Sequence, residues 1–96
     1  MAKGYLVVDL HITNPGPFQE YREKVLATVE AYGGRFLVRG GDPRLIEGDV
    51  DPGRVVLLEF ESPDQAMDWY NSPAYQAILP MRFANATARV VLATGV

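Results

Sequence analysis

The chain has 96 residues, and residues 1–96 are predicted to form one domain. Its 48% hydrophobic content is that of a folded globule, and its net charge of −3 lacks the basic excess typical of nucleic-acid-binding proteins. With no cysteine and one histidine, the sequence excludes disulfides, thiolate metal ligands and multi-histidine metal sites within one chain. No apolar run is long enough for a signal peptide or a membrane span, so a cytoplasmic protein without a membrane partner is expected.

The first predicted element is a strand at residues 5–12, where apolar positions alternate with mixed ones. A turn follows at residues 13–17, in which Asn14 or Gly16 is expected to cap a helix. Apolar residues at helical spacing from Phe18 to Tyr32 predict a helix that lies on a sheet. The pair Gly33-Gly34 is expected to end it, because glycine adopts the left-handed conformation of a helix C-terminus without a Cβ clash.

Two further strands are predicted on either side of a polar loop. The first covers residues 35–39, with Arg35, Leu37 and Arg39 on one face. A second glycine pair, Gly40-Gly41, is expected to bend or end it, and residues 44–47 to resume it. An acidic turn rich in glycine and proline at residues 48–53 then leads to a strand at residues 54–61.

The best local signal is Ser62-Pro63-Asp64-Gln65, which predicts an N-cap, a proline in the first turn and a capping box. This helix is expected to stop at Asn71. The pair Ser72-Pro73 repeats this combination of N-cap and first-turn proline and predicts another short helix. Pro80 is expected to kink or end that helix. Residues 87–94 form the last predicted strand.

This order of elements predicts an α+β, ferredoxin-like βαββαβ fold, with an antiparallel sheet and helices on one face only. The opposite face, called the open face below, combines charged residues with aliphatic ones. A solvated sheet face is normally polar, so aliphatic residues there predict an interface or a ligand cavity. Two sheets packed through this face would close a barrel across a homodimer, with a pocket at its centre. The aliphatic residues expected there are Val7, Leu37, Val55, Leu57 and Val91.

Several segments resemble the DUF1330 family, a family of unknown function in the dimeric α/β-barrel superfamily. The resemblance runs over essentially the whole chain and implies a ferredoxin-like fold and a homodimer. The superfamily also includes cofactor-free quinol monooxygenases, muconolactone isomerases, haem-degrading enzymes and chlorite dismutases. The segments that carry the resemblance are Lys3-Gly4-Tyr5, residues 32–41 (YGGRFLVRGG), Leu58-Glu59-Phe60 with Ser62, and residues 69–76 (WYNSPAYQ).

Asp9 and His11 are the candidate catalytic residues, because two positions apart on a strand they share a face. In a low-dielectric cavity the carboxylate would orient the imidazole as an acid/base pair. The alternative is that His11 lies at the rim of the barrel and only forms a hydrogen bond there.

The candidate substrate-binding residues are mainly arginines, whose planar guanidinium groups suit carboxylate or enolate ligands. Arg35, Arg39 and Arg89 are predicted to converge with Glu59 on the open face. The alternative is that Arg35 or Arg39 forms a structural or inter-subunit ion pair with Asp9, Glu59 or Glu47. Tyr75 and Arg82 are expected at the rim of the pocket, with a packed helical position as the alternative for Tyr75.

Three functions remain open from the sequence. The first is a cofactor-free enzyme, monooxygenase-like or isomerase-like, acting on a small organic acid or aromatic ligand. The second is a non-catalytic binding module that uses the same pocket, and the third is an interaction protein whose charged face serves only dimerisation. No metal site is predicted, and the aromatic residues around Trp69 are interpreted as core, not as a cofactor site.

Overall fold

A computed structural model describes residues 2–96 and confirms the predicted order of elements. Two helices follow the third strand, as the two Ser-Pro pairs predicted. No helix in the described part is both long and apolar enough to cross a membrane. The elements are β1 (Gly4–Ile12), α1 (Pro15–Ala31), β2 (Arg35–Arg39), β3 (Arg54–Phe60), α2 (Pro63–Tyr70), α3 (Pro73–Asn85) and β4 (Ala86–Thr94).

The four strands form one antiparallel sheet in the order β2-β3-β1-β4. Strand β1 is central, and its Val7 lies opposite Leu57 of β3 and Val91 of β4. The helices bury alternate strand residues such as Leu6, Leu10 and Leu58, as the period of two requires. The fold is therefore the predicted ferredoxin-like one, with its core between the helices and one face of the sheet.

The first glycine pair ends α1 as predicted. Gly33 has a φ of +74°, and its N–H donates to the Glu30 carbonyl at 3.0 Å. The Gly34 N–H donates to the Val29 carbonyl, also at 3.0 Å, which completes a Schellman motif. At the other end, Asn14 occupies the N-cap position, but its side chain makes no capping hydrogen bond.

Strand β2 differs from its predicted alternation, because a β-bulge lies between Phe36 and Val38. Phe36 pairs with Leu58, whereas Val38 pairs with Leu57 and Arg39 with Val56. The extra residue reverses which face the later residues occupy. Val38 was predicted to face the helices and Arg39 the open face, and both assignments were wrong.

One other expectation was also wrong, and one alternative for Pro80 is excluded. Residues 44–47 do not resume a strand, and their exposed Leu45 and Ile46 show that no burial holds the segment against the sheet. Helix α3 continues past Pro80 to Asn85. A proline removes one helical hydrogen bond, but Ile78, Leu79 and Arg82 are all buried on either side of it, and this packing keeps the helix continuous.

The open face remains uncovered by any element of the chain. Its Val7, Leu37 and Val91 are each more than 40% exposed. Edge strand β4 is exposed along almost its entire length after Ala86. An apolar sheet face of this kind is unusual for a face in contact with water.

The cap of α2 yields a direct test. The Ser62 Oγ accepts a hydrogen bond from the Gln65 N–H at 3.1 Å, while the Gln65 side chain donates to the Tyr32 carbonyl and so does not complete the capping box. We expect Ser62→Ala to lower the free energy of unfolding by about 1 kcal/mol through loss of the cap. Urea denaturation measures the change, and the exposed Asp64→Ala variant is the comparison. An unchanged midpoint for Ser62→Ala would contradict the capping role.

Candidate functional site

A cavity of about 70 Å³ lies between the helices and the inner face of the sheet; we call it the helix-side cavity. It is on the opposite side of the sheet from the pocket that the sequence predicted inside a dimeric barrel, and it is built within one chain. Most of its wall is apolar and belongs to the core. Its polar lining residues are Tyr21, Arg22, Arg39, Arg54, Trp69, Tyr70, Tyr75 and Arg82.

The charge around this cavity is of one sign. Four of the nine basic residues of the chain line it, and no aspartate or glutamate does. None of these four arginines forms an ion pair with a described residue, whereas Lys3, Lys24 and Arg35 do. A cleft with apolar walls and unpaired positive charge concentrates a positive potential, and this favours an anionic ligand.

Arg82 is the most unusual of the four, because it is only 6% exposed. Its Nε has no hydrogen-bond partner among residues 2–96. Its guanidinium carbon lies 5.2 Å from the centre of the exposed Phe83 ring, which provides a cation–π contact but no acceptor. A buried donor without a partner costs free energy, and an acceptor that reached the Nε would remove this cost.

Two buried tyrosines stand beside Arg82. The hydroxyl groups of Tyr21 and Tyr75 are 2.8 Å apart. Burial raises the pKa of Tyr21, and the neighbouring Tyr75 raises it further, while the charge of Arg82 opposes the rise. Burial also raises the pKa of Tyr75, partly offset by its hydrogen bond with Tyr21 and by the charge of Arg82. Both phenols are therefore neutral at physiological pH and serve as donors, not as bases.

Trp69 forms an aromatic wall of the cavity. Its ring centre is 4.1 Å from that of Tyr75 and 5.6 Å from that of Phe60. Its indole N–H donates to the Thr28 hydroxyl at 3.1 Å, which orients the ring. Trp69 was predicted to be a core residue, and it is only 3% exposed. The same ring also lines the cavity.

Asp9 and His11 lie on the open face, away from the helix-side cavity. They are neighbours as predicted, with 3.7 Å between the His11 Nε2 and an Asp9 oxygen. The same Asp9 oxygen accepts the Gly53 N–H at 2.9 Å. A Cβ on Gly53 would stand 2.7 Å from this oxygen and 2.9 Å from the His11 Nε2. Asp9 thus holds the loop before β3 close to β1, and His11 lies beside this contact.

Glu59 organises a second polar group on the open face. It accepts hydrogen bonds from the Tyr5 hydroxyl at 3.0 Å and the Arg35 Nε at 2.8 Å, and Lys3 lies at 3.6 Å. Burial alone would raise the pKa of Glu59, but these hydrogen bonds and the charges of Arg35 and Lys3 outweigh it and hold the pKa below its ordinary value. Arg35 therefore takes the structural ion pair that was its alternative role.

The predicted site residues separate into two groups on opposite sides of the sheet. Tyr75, Arg82 and Arg39 line the helix-side cavity, whereas Arg89 lies in register with Asp9 on the open face. The sequence reasoning missed Tyr21, Arg22, Arg54 and Trp69 as lining residues. Helical spacing was a usable signal for Arg82, which falls four residues after Ile78 on the buried stripe of α3. Arg22 falls four residues after Phe18 but is itself exposed.

Within residues 2–96, no group of three His, Asp or Glu side chains is placed to hold a metal ion. The cavity donors are instead guanidinium, phenol and indole groups. These suit a carboxylate, enolate or phenolate oxygen.

The family model described as a domain of unknown function, DUF1330, matches residues 3–96. The chain belongs to the DUF1330 family. The resemblance noted from the glycine pairs and the Ser-Pro-Ala-Tyr segment is thereby confirmed. A search of curated proteins found no match to this DUF1330 chain.

Solved structures share the fold at low sequence identity. The RPA0582 protein of unknown function from Rhodopseudomonas palustris is 14% identical, with a TM-score of 0.82 over 99% of this chain and 83% of its own. A dabb family protein with a ferredoxin-like fold from Mesorhizobium loti is 12% identical, with a TM-score of 0.69 and coverage of 100% and 99%. SnoaB, a cofactor-independent oxygenase from Streptomyces nogalater, is 16% identical, with a TM-score of 0.67 and coverage of 100% and 95%. At these identities the similarity supports the fold alone.

The unpaired Arg82 predicts an unusual effect on stability. Arg82→Met keeps an apolar side chain of similar length and removes the unpartnered donor. We expect the free energy of unfolding of the ligand-free protein to rise by about 1–3 kcal/mol, the usual cost of a buried unsatisfied polar group. Urea denaturation tests this. The exposed Arg44→Met, which removes the same charge far from a cavity wall, should change it by less than about 0.5 kcal/mol. A destabilised Arg82→Met would mean that Arg82 holds the fold together.

Proposed function

We propose that this DUF1330 protein is a cofactor-free enzyme that binds a small organic acid anion in the helix-side cavity and stabilises its enolate or phenolate form. The observation that carries the proposal is the Nε of Arg82, a buried cationic donor without a partner. The lining of the cavity offers it no carboxylate. A ligand oxygen with negative charge supplies the missing acceptor.

Arg82 is suited to an oxyanion whose charge develops during a reaction. A guanidinium group held in a water-poor site acts more strongly on such charge than it would in water. The Tyr21–Tyr75 pair adds a second donor, because their mutual hydrogen bond uses only one of the two hydroxyl hydrogens. The remaining O–H would donate to the same ligand. Trp69 and the aliphatic wall would pack against its carbon skeleton.

The proposed chemistry follows from the side chains that line the helix-side cavity. The cavity lining contains donors but no carboxylate or imidazole that would remove a proton from carbon. A substrate that ionises readily, and is then held as its oxyanion, suits this lining best. SnoaB, a solved structure that shares this fold, is named as a cofactor-independent oxygenase. That shared fold supports the proposal as an analogy.

The second candidate is a non-catalytic binding protein for the same anion. The specific observation in its favour is the missing base in the cavity lining, since Asp9 and His11 belong to the open face. Binding requires only the charge and shape of the cavity. The two candidates therefore differ in turnover and not in affinity.

The test uses 2-oxobutyrate and levulinate, two short acids that can form enolates, with methyl levulinate as the neutral counterpart. Calorimetry should show that levulinate binds at least tenfold more tightly than its ester, since a charge-assisted hydrogen bond contributes about 1.5–3 kcal/mol. Arg82→Met should remove this difference, and Arg44→Met should keep it. Because the lining holds no base, solvent hydroxide takes the proton from the carbon beside the ketone, and Arg82 stabilises the enolate that is left. Deuterium uptake at this carbon, followed by NMR in heavy water, reports enolate formation, and oxygen consumption reports oxidation of the enolate by O₂.

The outcomes separate the candidates. Faster exchange or oxygen uptake that depends on Arg82 supports the enzyme. Binding that depends on Arg82 without either reaction supports the binding protein. Equal binding of the acid and the ester would contradict both, because neither then uses the cationic donor.

We also propose that the open face is a homodimer interface. Burying an exposed valine or leucine there contributes roughly 1.5–3 kcal/mol. A two-fold copy that presents the same face would cover Val7, Leu37 and Val91 without any new sequence, and such dimers are the commonest soluble assembly. The cavity does not depend on this partner, because it lies on the other side of the sheet.

Sedimentation equilibrium at micromolar concentration tests the dimer. Leu57 lies opposite Val7 on the open face, and Leu57→Asp should yield a monomer or an unfolded chain, because an unpaired carboxylate would be buried in the interface. The matched control is Ile46→Asp, in a loop where the side chain is 87% exposed. A well-folded wild-type chain of monomer mass would overturn the interface.

A further inference from the structure

Three exposed arginines from three different elements line the helix-side cavity: Arg22 of α1, Arg39 of β2 and Arg54, the first residue of β3. We call them the rim arginines, because they are solvent-exposed where Arg82 is buried. None of them forms an ion pair with a described residue. Three cationic side chains around one cavity favour the binding of an anion among them.

The bulge in β2 is what directs Arg39 to this opening. With a regular alternation, Arg39 would share the open face with Arg35. The register shift pairs it with Val56 instead, on the helix side. Its Nη2 donates to the Arg22 carbonyl at 2.7 Å, and its guanidinium carbon lies 4.5 Å from the centre of the Phe36 ring. The charged group is therefore held in place by neutral contacts.

Arg54 is held close to the same opening by the backbone after β2. Gly40 has a φ of +81°, and a Cβ there would lie 3.2 Å from the Arg54 Nη1. Glycine thus allows both the turn and the close passage of the guanidinium group. The Gly40 N–H donates to the Val55 carbonyl at 2.8 Å, which fixes this turn against β3.

The size of the cavity limits what can be fully enclosed. Its volume of about 70 Å³ is roughly half of the ~150 Å³ that holds a benzene molecule in an engineered apolar cavity. A ligand whose anionic group reaches Arg82 and whose body is larger than a few carbon atoms must extend toward the opening. The groups that it meets there are the rim arginines.

We propose that the natural ligand carries two anionic groups, one bound by Arg82 inside the cavity and the other by the rim arginines at its opening. This inference rests on the proposed function, and it adds the substrate class: a short dicarboxylic acid, or an enolisable acid with a second carboxylate. Arg39 and Arg54 are the specificity-determining residues that select a dianion over a monoanion. They act at the far end of the ligand from the oxyanion that Arg82 holds.

The test compares the α,ω-dicarboxylates from succinate to suberate with the monoacids of the same length, butyrate to octanoate. Calorimetry at low ionic strength gives the ratio of dissociation constants at each length. For at least one length the dicarboxylate should bind tenfold or more tightly than the monoacid, and this gain should fall as NaCl is raised, because the rim is exposed and screened. The double variant Arg39→Met/Arg54→Met should abolish the gain, so that the dicarboxylate and the monoacid of each length bind within twofold of each other. Arg44→Met should retain the gain.

Arg82→Met separates this inference from the function on which it rests. Loss of monoacid binding in Arg82→Met, with no dicarboxylate gain at any length in the wild type, would overturn the two-anion ligand and leave the proposed function intact. Monoacid binding that is absent or unaffected by Arg82→Met would overturn both. A dicarboxylate gain that survives in the double variant, whose fold is checked by circular dichroism, would also overturn the role of the rim arginines.

Discussion

Three helices cover one face of a four-stranded sheet, and the rest of the molecule depends on this one-sided packing. The apolar stripes of the helices must all meet the inner faces of the strands, so Leu6, Leu10, Leu58 and Phe60 form the floor of the core. Packing of this kind is dense, yet between α1, α3 and the sheet it leaves a cavity whose deepest charged group is Arg82. The open face, in contrast, is not covered by any element within residues 2–96.

One inserted residue in β2 links the fold to the site. The bulge between Phe36 and Val38 moves Val38 to the open face and Arg39 to the helix side. The bulge therefore adds the aliphatic Val38 to the proposed dimer interface, and it adds the cationic Arg39 to the proposed anion-binding cavity. Bulges often redirect a side chain beside a functional site, and here both consequences follow from a single backbone feature.

The sequence predicted the elements well because each has a local cause. Alternation at residues 5–12, the glycines at 33–34 and the Ser-Pro caps each depend on neighbours within a few positions. The bulge at Leu37 was missed because it is set by pairing with β3, which alternation alone does not reveal. The contact between Asp9 and the Gly53 N–H joins residues 44 positions apart, so spacing placed Asp9 beside His11 but did not reveal the loop that they hold. The cavity was missed because Arg39 was assigned to the open face with Arg35 and Arg89. Arg39 lies on the helix side instead, where Arg82 is buried in α3.

The unpaired arginines do not result from a shortage of acids, because the chain has 12 acidic residues and only 9 basic ones. Glu59, Glu61 and Glu20 each have a cationic partner outside the cavity. A carboxylate in the cavity wall beside Arg82 would neutralise it from within the chain, but it would also occupy the place of the proposed ligand. An unpaired Arg82 lowers the free energy of unfolding. An anion that binds only the folded state raises the free energy of unfolding again, and the increase grows with the logarithm of the ratio of anion concentration to dissociation constant. Under the proposed function, the folded chain without a ligand is therefore the least stable form of the site, and the proposed anion would supply the missing counter-ion.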